Sequence, residues 1–126
     1  MIQIVAVPQE KIRAEQVGDW MYTNDSIVVY VLETLSPESQ LAVAIHELQE
    51  AFLCRKKGIT DFVVCAFDKQ FEDERKNGHH NEDAEPGDDP RAPYREEHQA
   101  ATFVERAVCA ALGINWNNHC NGIIEL

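Results

Sequence analysis

The sequence predicts an α+β fold: a small, mostly antiparallel sheet packed on two long helices, in a single domain spanning residues 1–126. Three observations lead there. The first third carries short β-branched, apolar runs bounded by turn residues. Two later segments, 36–58 and 94–113, hold apolar residues at helical spacing and end in glycine. Between the helical segments the composition turns strongly polar.

In chain order, residues 2–7 are apolar and β-branched, and Pro8 ends them as a strand. Residues 9–17 are short and polar, which fits a brief helix. Trp20 to Thr23 and Ser26 to Thr34 form a hairpin about the turn pair Asn24 and Asp25. Its second strand is almost continuously apolar, so burial on both faces is expected. Ser36 and Pro37 then open a helix as N-cap and first helical residue. Arg55, Lys56 and Lys57 suit its C-terminal end, and Gly58 stops it. Leu41, Ile45, Leu48 and Phe52 read as its apolar stripe, with His46 and Glu50 on the flank.

A shorter helix is expected at 61–72, burying Phe62, Cys65, Ala66 and Phe67. Residues 72–93, with His79, His80, Pro86, Gly87, Pro90 and Pro93, read as a polar mobile loop. Residues 94–112 form a strong helix capped by Gly113, and the tail ends in Ile123 and Ile124, candidates for an edge strand.

The formal net charge of −11 argues against nucleic acid and anionic membrane as partners, since phosphate contacts need clustered Lys and Arg. No apolar run approaches the ~20 residues that span a bilayer. The first residues lack a basic region and a cleavage site, so they read as strand and not as signal peptide. The four cysteines form no C-x-x-C pair, and a reduced, cytoplasmic protein is the simplest expectation.

Chemistry concentrates in His46-Glu47-Leu48-Gln49-Glu50. Residues four apart share a helical face, so His46 and Glu50 point the same way. Glu47 lies ~100° round the helix. This is the H-E-x-x-H layout of a zinc helix with the second histidine replaced by glutamate, whose oxygen zinc accepts at nearly the same distance. His46 and Glu50 are therefore candidate metal ligands, and Glu47 the candidate catalytic base. His98, on the next long helix, is the candidate third ligand, because facing helices can converge on one ion. Glu97, Glu105 and Asp68 are substitutes, or groups that orient the imidazoles.

Each of these also has a plainer reading. Glutamate and histidine are ordinary on a solvated helix face, and His98 can be a surface histidine. His79 and His80 are neighbours pointing apart, best read as parts of a loop. His119 and Cys120 lack a partner pair at zinc spacing. No nucleophile triad and no glycine-rich phosphate loop stands out.

The run from Gly18 to Cys54 resembles the strand-then-helix core of zincin-type metallopeptidases. The chain is also similar to small phage and bacterial proteins with a His-Glu-Leu-x-Glu helix, an Ala-Phe-Asp segment and a later Glu-His helix. Here those are His46 to Glu50, Ala66-Phe67-Asp68 and Glu97-His98. The resemblance implies a zincin-like fold and a metal-dependent hydrolase, a zinc metallopeptidase-like protein with zinc or another divalent metal and a peptide or protein substrate. Glu50 departs from the zincin pattern, and so does a third ligand on a long helix of its own. A carboxylate ligand lowers the metal's effective charge, which predicts weaker hydrolysis or another preferred metal. The competing expectation is a non-catalytic, zincin-like interaction protein of phage origin, with a structural metal or none. A third, an all-helical magnesium-dependent nucleotide hydrolase, conflicts with the β-rich first third.

Overall fold

The computed structural model describes residues 1–13 and 16–121. The fold is mixed α+β. Three strands, β1 (Ile2–Val7), β2 (Gly18–Tyr22) and β3 (Ile27–Leu32), form one sheet in the order β1-β3-β2. The hairpin turn forms as expected, with Thr23 N–H donating to Ser26 O at 2.8 Å around Asn24 and Asp25. The mostly antiparallel sheet needs correcting. β2 pairs antiparallel with β3, but β1 pairs parallel with it, Ile2 opposite Ile27 through Val7 opposite Leu32. The hairpin inserts β3, the most apolar strand, between the other two, so both of its edges are hydrogen-bonded. Its side chains alternate: Ile27, Val29 and Val31 are buried, whereas Val28, Tyr30 and Leu32 are half-buried. Only one face of the sheet therefore carries the helices, and full burial of β3 is not reached. Residues 9–17 contain a single 3-10 turn, Gln9–Lys11, in place of the brief helix among the described residues.

The helices are α1 (Pro37–Lys57), α2 (Asp61–Lys76), α3 (Arg95–Leu112) and the short α4 (Trp116–Cys120). The caps of α1 follow the sequence: Ser36 Oγ accepts from Ser39 N–H, and Gly58 ends the helix at φ 75°. α1 lies across β2 and β3 and packs antiparallel to α3. Lys57 meets Glu97 at one end of the pair, His46 meets Glu105 midway, and Ser39 meets His119 beyond. α2 runs past residue 72 to Lys76, so the polar segment begins later than expected. Residues 77–94 hold a 3-10 turn, Pro86–Asp88, whose Pro86 and Gly87 are buried. The expected edge strand at Ile123 and Ile124 lies outside the described residues.

Two burial patterns depart from the reading of apolar stripes. On α1, Leu41 and Phe52 are 48% and 41% exposed, while the buried face holds Ala42, Val43, His46, Glu50, Ala51 and Cys54. Small residues let α1 approach the sheet and α3 closely, so His46 and Glu50 face inward and not along a flank. On α2, Phe62 and Ala66 are exposed, and Val64, Phe67, Asp68 and Phe71 turn to the core. That core gathers Trp20, Ile27, Val29, Val31, Cys54, Phe67, Phe71 and Tyr94. No described helix is long and apolar enough to cross a membrane. All four cysteines are free, with Cys54 and Cys109 buried.

Candidate metal centre

The packing of α1 against α3 brings His46, Glu50 and His98 together. One ligand atom from each lies within 4.8 Å of the others. Glu50 Oε2 is the hub, 3.1 Å from His46 Nε2 and 3.0 Å from His98 Nδ1. The three residues are only 7%, 5% and 8% exposed.

Each of the three is held from behind by another element. The Trp20 indole N–H, from β2, donates to Glu50 Oε1 at 3.0 Å, leaving Oε2 to face the histidines. His46 Nδ1 lies 2.7 Å from Glu105 Oε1, an ion-pair distance, although its angle falls short of a hydrogen bond. His98 Nε2 lies 2.9 Å from Glu85 Oε2, with Asp88 Oδ1 at 3.6 Å. Gly87 makes the His98 position possible. An added Cβ there would lie 2.3 Å from the imidazole Cγ. Gly18 does the same for Glu47, whose Oε1 would sit 2.9 Å from a Cβ at that position.

The electrostatics follow from burial and contact. Burial alone would lower the His46 pKa, but Glu105 and Glu50 outweigh it and raise it well above the usual value. His98 behaves likewise: Glu50 and Glu85 overcome burial and push it up to about 10. Burial works to raise the Glu50 pKa, yet two flanking imidazoles pull it well below the usual carboxylate range. Glu47 moves the other way, raised by burial and then by the Glu50 charge. Two glutamates three residues apart thus diverge, Glu50 firmly ionised and Glu47 retaining its proton at neutral pH.

This donor set suits a divalent cation. Two imidazole nitrogens and one carboxylate oxygen converge, and each ligand has an outer partner of the kind that orients metal-binding groups. Glu105 and Glu85 face the outer nitrogens of His46 and His98, so the inner nitrogens, beside Glu50, are the ones a metal would bind on displacing their protons.

Of the three groups expected as substitutes, only Glu105 touches a candidate ligand. Glu97 is buried against Lys57 Nζ at 2.6 Å, and Asp68 accepts from the Tyr94 hydroxyl. His80 is stacked on Phe71, with ring centroids 3.9 Å apart, and faces Glu74. Sequence reasoning missed Trp20, Glu85, Gly87, Ser39 and His119 as members of the site. A lone indole in a strand and a Pro-Gly step in an acidic segment were their only local signals. Two hollows flank the region. One of about 240 Å³ is lined by Phe71, His80, Asp83, Glu85, Asp88 and Asp89, and two of its carboxylates, Glu85 and Asp88, face His98 Nε2. The other, of about 560 Å³, is lined in part by Arg13, Asp19, Trp20 and Cys65 and shares Trp20 with the surroundings of the centre.

Comparison with known proteins gives no match: no family model, no curated protein and no solved structure is similar to this chain.

Proposed function

We propose that the protein binds one divalent metal ion, zinc in the first instance, through His46, Glu50 and His98, and uses it as a metallopeptidase-like hydrolase. The observation that carries this reading is the convergence of three buried ligand atoms within 4.8 Å, each backed by a partner from a different element. When bound, the metal would polarise a substrate carbonyl and make water nucleophilic at neutral pH. The chain's own groups do the rest. Trp20 holds Glu50 by one oxygen and leaves the other as ligand. Glu105 and Glu85 keep the two imidazoles in the binding tautomer. Glu47, one residue along the helix from His46, would be the proton acceptor in its ionised form; burial raises its pKa to about 8, so that form grows as pH rises through 8. It would pass that proton to the leaving amine.

Burial of the ligands at 5–8% exposure favours a second reading, a closed structural metal site in an interaction protein. The two separate by incubating zinc-loaded protein with a mixed peptide library and following cleavage by mass spectrometry. The hydrolase reading expects cleavage by the wild type and none by Glu47→Gln, with zinc content equal in both. Zinc bound by both and no cleavage by either would leave the structural reading.

A further inference from the structure

We propose that His119, on the short helix α4, is a positioning residue for the metal centre: acting through Glu105, it fixes the orientation of the His46 ring and the nitrogen that faces Glu50 and His98. The proposal rests on the metal reading above for its consequence, though not for its geometry.

Glu105 uses both oxygens. Oε1 lies 2.7 Å from His46 Nδ1, and Oε2 lies 2.5 Å from His119 Nε2. An ionised carboxylate only accepts, so both of those nitrogens carry protons. His119 Nδ1 lies 2.9 Å from Ser39 Oγ, a hydroxyl that can donate to it or accept from it. Ser39 sits in the first turn of α1, where its own N–H is held by Ser36 Oγ at 3.2 Å. Glu105 thus joins His119 to His46, and Ser39 joins His119 to the start of α1. The chain closes a loop from the start of α1 through α4 and α3 back to the middle of α1. Both histidines are buried, at 7% for His46 and 6% for His119, so water does not substitute readily for either contact. The Trp116 ring packs 5.6 Å from His119, and the Arg106 guanidinium covers Trp116 at 5.0 Å. Without His119, one Glu105 oxygen loses its partner and the carboxylate can turn away from His46. The His46 ring is then free to rotate, and either nitrogen can face inward.

A purely structural tie between α4 and α1 would lower stability alone. Positioning makes further demands, tested on full-length wild type, His119→Ala and His119→Gln. Glutamine keeps a donor for Glu105 and an acceptor for Ser39. Zinc affinity, by competition with a chromophoric chelator, is expected to fall ~10–100-fold in His119→Ala and to recover most of that loss in His119→Gln. In metal-free protein, the His46 Nδ1 proton should exchange slowly in wild type and His119→Gln and fast in His119→Ala, followed by ¹⁵N-resolved NMR. Unchanged exchange in all three proteins would overturn the proposal. Equal zinc affinity in all three would overturn it too. A changed exchange rate in protein that takes up no zinc would support the positioning role and sink the metal reading instead.

Discussion

Gly87→Ala is the sharpest steric prediction. Gly87 needs its hydrogen because of what lies beside it, since its backbone is not in the left-handed region. A Cβ built there would stand 2.3 Å from His98 Cγ, 2.5 Å from Nδ1 and 2.6 Å from Cδ2. Carbon atoms pack comfortably at ~3.5–4.0 Å, so ring and turn must separate by roughly 1 Å or more. Little can give way. His98 is clamped between Glu50 and Glu85, and the turn Pro86–Asp88 is buried at Pro86 and Gly87. Whichever moves, the 2.9 Å contact between His98 and Glu85 is broken or stretched. Overpacking of this kind costs about 1–3 kcal/mol, which lowers Tm by about 4–12 °C for a domain of this size. Displacing one ligand with its orienting partner should weaken zinc binding at least ~10-fold. Calorimetry measures both, as a melting scan of metal-free protein and a zinc titration. A variant that melts within a degree of wild type and binds zinc equally well would refute the close packing of Gly87 on His98.

Other consequences follow from the same contacts. Trp20→Phe keeps the ring in the core but removes the donor to Glu50 Oε1, so an unpaired buried carboxylate oxygen should cost about 1–3 kcal/mol in chemical denaturation. Asp68 is pushed up to about 6 by burial, against the Tyr94 and Gln16 hydrogen bonds. The unfolded chain therefore releases this proton first, and stability falls as pH rises from about 4 to 6, by roughly 3 kcal/mol from this group. Denaturation of Asp68→Asn across that range should lack this component; an identical pH profile would contradict it. His98, raised to about 10, has the same sign from the other side: its ion pair with Glu50 stabilises the metal-free fold fully below pH 6.5 and is lost as pH climbs through 10. The metal must displace that proton, so zinc affinity should rise with pH from 6 to 9, with proton release visible in buffers of different ionisation heat.

Much of the fold was legible because its signals are local. Ser36, Pro37, Gly58 and Gly113 mark helix ends through capping chemistry that needs no partner. His46, Glu47 and Glu50 stand out through a spacing that works only on a helix. The parallel pairing of β1 was not legible, because strand order depends on which edges the hairpin leaves open. The inward face of α1 was misread for a related reason. Leucine and phenylalanine dominate its hydrophobic pattern, yet alanine, valine and cysteine permit the close approach that buries His46 and Glu50. Glu85 and His119 lie far from His46 in sequence and reach the centre only through folding, as the separation of 80 residues between Ser39 and His119 illustrates. No local pattern encodes such a contact.

The central claim is a single metal held by His46, Glu50 and His98. The most direct test is elemental analysis of untagged protein, stripped with chelator, reloaded with zinc and dialysed, for wild type beside His98→Ala and Glu50→Gln. One zinc per chain in the wild type, lost or sharply reduced in both variants, is the predicted result. No retained zinc in the wild type, or full zinc in either variant, would contradict it.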